Sequence, residues 1–152
     1  MLLIDASKIS AGGGLVLLRF LLAELSKNNI PLFLIKDIRY QGTDLDIYPH
    51  AAYNRIFLNR KKIFESLIAK HKITKILCFG SSPPPLRPKG VTSYTYMHDP
   101  NIFNDSILSG YGWKSKLSRF IKEKYIKHHI GNSDYYIFQT PYMVERFEKS
   151  YK

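Results

Sequence analysis

Leu2-Leu3-Ile4-Asp5-Ala6 opens the chain and is followed by Ser10-Ala11-Gly12-Gly13-Gly14 and an apolar run from Leu15 to Leu25. A short apolar run bounded by turn residues is typical of a buried strand, and glycines commonly form the turn after it. The longer run predicts a helix that begins near Gly14. Because this helix is apolar on nearly every side, we expect it to be buried all round. Strand, turn and helix in this order indicate an α/β fold.

The same alternation continues to the end of the 152 residues. Apolar runs predict further strands at Pro31–Lys36, Ile73–Phe79, Val91–Met97 and Asp134–Gln139, with a short one near Tyr53–Phe57. Helices are predicted from Asn59, from Trp113 to Ile130, and from Pro141. Strands separated by helices specify a parallel sheet with helices on both faces. We therefore predict one domain over residues 1–152, a Rossmann-like, mostly parallel sheet flanked by helices.

Composition narrows the functional classes. The chain is 45% hydrophobic and 14% aromatic, which excludes a disordered protein. Its one cysteine, Cys78, lies in an apolar strand, so neither a disulfide framework nor a metal site is expected. The longest apolar stretch is shorter than the roughly 20 residues of a membrane span, and a cytoplasmic protein is expected. The net charge of +11 favours an anionic partner: phosphate, nucleic acid or a membrane surface.

Three unusual loops follow predicted strands directly. They are the glycine loop Gly12-Gly13-Gly14, the proline loop Ser81-Ser82-Pro83-Pro84-Pro85, and the turn His98-Asp99-Pro100. In an open α/β sheet, ligands bind in the crevice outside the carboxyl ends of the strands. We therefore expect the three loops to lie near one another at one edge of the sheet and to form a binding surface.

The glycine loop has two interpretations. Glycines let the backbone approach a ligand, and the helix behind them offers free N–H groups to an anion. The spacing is neither the dinucleotide fingerprint nor the nucleotide-triphosphate loop. A tight strand-to-helix turn remains an alternative. The ligand-facing interpretation is favoured because three successive glycines weaken the start of a helix without adding any packing.

His98 is the best single candidate for chemistry, because it directly follows a strand and precedes a turn. Its imidazole can exchange hydrogen bonds with a substrate hydroxyl near neutral pH. The alternative is a histidine that caps its own strand. Asp99 is a candidate ligand contact, although Asp-Pro is also a common turn.

A basic helix is predicted from Trp113 to Lys127, with six Lys or Arg residues against one Glu. A helical wheel puts Trp113, Leu117, Phe120 and Ile121 on one face and Lys116, Arg119, Lys122 and Lys127 on the opposite one. We expect the apolar face to pack on the sheet and the basic face to lie in solvent. The basic face is expected to be solvated, to contact anionic lipid, or to do both, with Trp113 or Tyr111 as an anchor at the headgroups.

Four segments together resemble a known family. They are the glycine loop before the first helix, Leu77 to Pro85, Tyr96-Met97-His98-Asp99-Pro100, and Phe138 to Phe147. In order and spacing they are similar to the N-terminal domain of GT-B glycosyltransferases of family 4. These are retaining enzymes of bacterial polysaccharide and lipopolysaccharide synthesis, and the resemblance extends over the whole chain.

The resemblance implies specific roles. Gly12, Gly13 and Gly14 would face the donor diphosphate and the acceptor, and His98 would contact the transferred sugar as the catalytic residue. Asp99 and Thr140 would line the same cleft. The donor would be a nucleotide-sugar and the acceptor a glycan or lipid-linked glycan, with no metal, at the inner face of the membrane. No separate base is implied, because the leaving diphosphate is thought to take the acceptor's proton.

The resemblance also implies a missing part. In this family a second Rossmann-like domain holds most of the nucleotide-sugar, and the sequence reaches Lys152 without it. We expect little activity from the chain unless a C-terminal domain is supplied in cis or as a separate subunit. The alternative is a non-catalytic basic α/β module that binds a membrane surface, a partner protein or nucleic acid. Nucleic acid is the less favoured partner, since no motif that reads DNA or RNA is present.

Overall fold

A computed structural model describes residues 1–53, 59–99 and 112–151. The strands are β1 Leu2–Ala6, β2 Leu32–Asp37, β3 His50–Tyr53, β4 Lys75–Cys78, β5 Thr92–Met97 and β6 Tyr135–Phe138. The helices are α1 Gly12–Lys27, α2 Arg60–His71, α3 Trp113–His129 and α4 Pro141–Tyr151, with a 3₁₀ turn at Ile130–Asn132. Most of the strand predicted near residues 53–57, the turn residue Pro100 and the candidate anchor Tyr111 lie outside the described residues.

The six strands form one sheet in the order β3-β2-β1-β4-β5-β6, and every pair is parallel. This confirms the predicted α/β, Rossmann-like fold. Strand order reverses between β1 and β4, because the chain proceeds from β1 toward β3 and then returns to the other side of β1. Such a switch point opens a crevice at the carboxyl ends of the two strands.

Two layers of helices cover the sheet. Ile4 and Leu34 pack against α1 on one face, whereas Leu3 and Ile76 pack against α2 on the other. Side chains alternate between faces along a strand, so neighbours such as Leu3 and Ile4 belong to different cores. A third core, from Met97, Ile126, Met143 and Phe147, joins α3 and α4 to the α2 side of the sheet.

The expectation that α1 is buried all round is wrong. Leu15, Leu18 and Leu22 face the sheet and are buried. Val16 is 63% and Phe20 is 68% exposed, since they project from the opposite side of the helix. One apolar stripe is enough to pack α1 against the sheet. Apolar residues on the other side of the helix are therefore not evidence that this side is buried.

The predicted orientation of α3 is also wrong. Trp113 is 70% exposed and Phe120 is 55% exposed, whereas Ile126 is fully buried. Residues three, four and seven apart share a helix face, and Ile126 therefore shares its face with Lys122 and Arg119. The packed face of α3 thus includes two of the basic residues that were expected in solvent, and its apolar N-terminal face lies outside.

One apolar part of the sheet is also exposed. On the α1 side, the ring of Tyr94 stacks on that of Tyr135, with centroids 5.2 Å apart. Tyr135 is 57% exposed and Ile137 is 44% exposed. Both belong to β6, which is an edge strand of the sheet. The β6 end of this face is therefore less covered than the β1 end, where α1 packs.

Candidate functional site

The carboxyl ends of β1, β4 and β5 bring the predicted loops together. The glycine loop follows β1, and Ser81 follows β4. His98 follows β5, and its Nε2 atom lies 3.5 Å from the position that a β-carbon on Gly14 would occupy. The structure therefore places His98 beside the glycine loop, on the same edge of the sheet.

The three glycines differ in what the fold demands of them. Gly12 has φ of +71°, a conformation that other residues rarely adopt. A β-carbon on Gly14 would lie 3.2 Å from the side chain of Ile9. Gly13 has no positive φ, and a β-carbon there would meet nothing within 4 Å. The geometry of the turn thus accounts for a glycine at position 12 and, in part, for the glycine at position 14. Gly13 is not required by the turn and borders open space at the start of α1.

The imidazole ring of His98 lies nearly parallel to the rings of two aromatic neighbours, Phe79 and Tyr96. Its ring centroid is 6.2 Å from that of Phe79 and 5.9 Å from that of Tyr96, with small interplanar angles. Burial lowers the pKa of His98, and the nearby Lys122 ammonium lowers it further, against an opposing effect of Asp99. The ring is therefore neutral at physiological pH, which suits hydrogen bonding to an uncharged group.

Asp99 and Thr140 have structural partners. Lys122 donates to Asp99 Oδ2 at 3.1 Å, which ties α3 to the end of β5. Thr140 Oγ1 accepts the Met143 N–H at 3.3 Å and so caps the start of α4. Asp99 adjoins His98, whereas Thr140 lies beyond β6 and is separated from the glycine loop by β4 and β5.

Thr140 instead lines an open cavity of about 460 Å³ between β6 and α4. Glu145 and Glu148 also line this cavity, together with Phe138 and Val144. Carboxylates repel a diphosphate, so this cavity is poorly suited to the anionic group that was assigned to the glycine loop. The structure does not bring Thr140 and the glycine loop into one site.

A buried ion pair that the sequence did not reveal lies beneath the crevice. Arg60 and Asp5 are both 3% exposed, and the Arg60 guanidinium donates to Asp5 Oδ2. Arg60 also donates to the carbonyl oxygen of Pro83 at 2.7 Å and contacts the Tyr125 hydroxyl. Although burial alone would raise the pKa of Asp5, the guanidinium holds it below its usual value. Arg60 thus joins β1, the proline loop and α3.

Lys8 is a second group missed by sequence reasoning. Its ammonium donates to Ser82 Oγ at 2.6 Å and so bridges the loops that follow β1 and β4. Burial lowers the pKa of Lys8 to about 7, and the positive charges of Arg60 and Lys122 act in the same direction. No motif identified Lys8, because its neighbours are brought together only by the sheet.

Cys78 and the metal-ligating residue types add no further site within the described ranges. Cys78 is buried, and this burial raises the pKa of its thiol to about 12, so the thiolate is scarce. Across residues 1–53, 59–99 and 112–151, no three His, Cys, Asp or Glu side chains are grouped to hold a metal ion.

The five predicted membrane-contact residues separate into two sets. Trp113, Lys116 and Lys127 are exposed. The side chains of Arg119 and Lys122 are only 15% and 26% exposed, and they pair with Glu123 on the same helix and with Asp99 on the turn after β5. The outward surface of α3 is formed by Trp113, Leu117, Phe120 and Ile121, which we call the α3 apolar face. Among the described residues, no helix is long and apolar enough to cross a bilayer.

Comparisons of the chain with protein-family models, with curated proteins and with solved structures found no match. The functional interpretation therefore depends on the sequence motifs and on the geometry of the carboxyl edge of the sheet.

Proposed function

We propose that the chain is the acceptor-side, N-terminal domain of a retaining glycosyltransferase. It acts on a nucleotide-sugar donor and a glycan or lipid-linked acceptor in surface polysaccharide synthesis. A C-terminal domain, in cis or as a separate subunit, completes the donor site. The observation that carries the proposal is the proximity of Gly14 and His98 Nε2 across the edge of a parallel sheet.

The chemistry at this edge fits the proposal. The N-terminus of α1 offers backbone N–H groups and a positive dipole end to a diphosphate. Gly13 leaves open space there, so a ligand can approach the backbone closely. A neutral His98 ring hydrogen-bonds a sugar hydroxyl without adding a charge. Asp99 acts through Lys122 and the turn rather than as a direct ligand.

A binding experiment tests the ligand-facing interpretation. The ¹⁵N-labelled chain is titrated with inorganic pyrophosphate and then with a panel of nucleotide-sugars. We expect amide shifts at Gly13, Gly14 and His98. In Gly13→Ala the added methyl group occupies the open space, so the shifts weaken while the fold is retained. Gly131→Ala is the matched control, since a β-carbon there also meets nothing within 4 Å. Unchanged binding in Gly13→Ala would show that the glycine loop is only a strand-to-helix turn and does not contact the ligand.

Activity tests the role of His98. With a C-terminal nucleotide-sugar domain supplied, His98→Ala should lower kcat at least tenfold, equivalent to about 1.4 kcal/mol of transition-state stabilisation. The thermal unfolding of the variant is measured alongside, because only a folded variant is informative. Wild-type rates from folded His98→Ala would show that His98 merely ends its strand.

The α3 apolar face favours a second candidate function, a module that attaches to a membrane surface. Large apolar side chains on the outside of a helix, with Lys116, Lys124 and Lys127 exposed on the same helix, are typical of helices that lie in the bilayer interface. This attachment is compatible with the transferase, since a lipid-linked acceptor lies at such a surface. Vesicle binding without any response to nucleotide-sugars would favour the second function alone.

A further inference from the structure

Ser81 stands out from its neighbours at the end of β4. It is fully buried and has φ of +51°, in the left-handed region. This conformation is unfavourable for a residue with a β-carbon, and glycine commonly occupies it. A serine at such a position indicates that its hydroxyl group has a task.

The hydroxyl group of Ser81 holds the turn that carries His98. Its Oγ accepts the backbone N–H of His98 at 3.0 Å and that of Asp99 at 3.3 Å. The same Oγ lies 3.3 Å from Nδ1 of the His98 ring. One buried oxygen therefore contacts both the backbone and the side chain of the candidate catalytic residue.

These contacts favour one arrangement of the hydrogens on the hydroxyl group and the ring. A serine hydroxyl has two acceptor positions and one donor hydrogen. Because two backbone N–H groups occupy the oxygen, its own hydrogen is directed to Nδ1. A neutral imidazole that accepts at Nδ1 carries its hydrogen on Nε2, which is the atom beside Gly14. The Tyr96 carbonyl oxygen is the competing acceptor for a hydrogen on the ring, and it would have to share itself between that hydrogen and the Ser81 N–H, which it accepts at 3.2 Å.

We propose that Ser81 is the positioning residue of this site. It fixes the turn and the neutral tautomer of His98, so that an Nε2–H donor faces the glycine loop. The donor suits an oxygen acceptor, such as a sugar hydroxyl or a phosphate oxygen. This inference deepens the proposed function, on which it relies for the ligand but not for the tautomer.

The tautomer is measured by long-range ¹H–¹⁵N correlation on the histidine-labelled chain, with His98 assigned from the spectrum of His98→Asn. In the wild type, above the pKa of the ring, we expect Nδ1 to be bare and Nε2 to carry the hydrogen. Ser81→Gly removes the hydroxyl group and tolerates the positive φ. In this variant the share of the Nδ1–H form should rise several-fold, because the Tyr96 carbonyl becomes the better partner. Ser82→Ala, a neighbouring buried serine, should leave the tautomer unchanged.

A wild-type ring with its hydrogen on Nδ1 would overturn the proposal, even if every variant failed to fold. An unchanged tautomer in folded Ser81→Gly would also overturn it. The proposed function fails separately. If the Nε2–H form is found but no pyrophosphate or nucleotide-sugar shifts its signal, the role of Ser81 stands and the ligand assignment falls.

Discussion

At the scale of single residues, the buried Arg60–Asp5 pair and the buried Lys8 affect the stability of the fold in different ways. Arg60 and Asp5 compensate each other's charge, and removing either partner of such a buried pair is strongly destabilising. Lys8 is buried and donates to the Ser82 hydroxyl, and the nearby positive charges of Arg60 and Lys122 outweigh the opposing effect of Asp5. Its ammonium form is therefore disfavoured in the folded chain, which links folding to pH.

Lys8 should make the chain more stable at alkaline pH. Its pKa is about 7 when folded, against an ordinary value of 10.5, so between these values the unfolded chain binds more protons. Stability then rises with pH. Relative to Lys8→Met, the wild-type free energy of unfolding should rise by at least about 1.4 kcal/mol, the equivalent of one pKa unit, from about pH 7 to about pH 10. Urea titrations at both pH values measure it.

The comparison with Lys8→Met removes the contribution of the titrating groups that do not interact with Lys8. Lys62→Met is the control, because Lys62 is an exposed lysine on α2. The difference in free energy of unfolding between the wild type and Lys62→Met should not rise between these pH values. A constant difference between wild type and Lys8→Met across this pH range would mean that the Lys8 amine keeps its proton when the chain is folded.

At the scale of elements, periodicity predicted where α1 and α3 lie but not which side of each is buried. The bounds of α3 and the start of α4 agree with the sequence to within a residue. The wheel for α3 found its apolar face from Trp113 to Ile121, whereas the packing contact is made by Ile126 in the later half. A pattern identifies a stripe of apolar residues, but only the neighbouring elements decide whether that stripe is covered.

The α3 apolar face should bind anionic vesicles mainly by insertion. Burying Leu117 and Phe120 in the acyl boundary contributes about 1.5–3 kcal/mol each, whereas a lysine near the surface contributes about 1 kcal/mol. We expect Leu117→Gln/Phe120→Gln to lose binding at every salt concentration. Lys116→Gln/Lys127→Gln should weaken binding at low salt only, because salt already screens exposed charges. Vesicle sedimentation measures both.

Val16→Gln/Phe20→Gln on α1 is the matched control, since Val16 and Phe20 are at least as exposed as Leu117 and Phe120. An equal loss in that variant would indicate a general effect of surface hydrophobicity. Binding that is unaffected by Leu117→Gln/Phe120→Gln would contradict insertion. Salt-sensitive binding to nucleic acid, with none to vesicles, would favour the nucleic-acid alternative.

At the scale of the whole molecule, the sequence predicted the architecture and only part of the site. Parallel strands end at one edge, so the proximity of Gly14 and His98 followed from the order of strands and helices. The partners of Asp5 and Ser81 did not. Arg60 is separated from Asp5 by 55 positions in the sequence. The Ser81 hydroxyl, after β4, accepts the backbone N–H of His98, after the neighbouring strand β5. Such pairs have no local pattern, because they arise only when the sheet has formed.

The exposed β6 end of the sheet has a consequence for the behaviour of the isolated chain in solution. Among the described residues β6 is an edge strand, and an edge strand with exposed apolar side chains is a template for pairing with another chain. We expect reversible self-association, seen by sedimentation velocity as the concentration rises to about 100 μM. Tyr135→Lys/Ile137→Lys should keep the chain monomeric, whereas Ile47→Lys, at an exposed apolar residue outside the sheet, should not. Monomers throughout would show that this edge is already protected. If the chain does self-associate, Tyr135 and Ile137 limit the concentration that a sample can reach before it begins to scatter light.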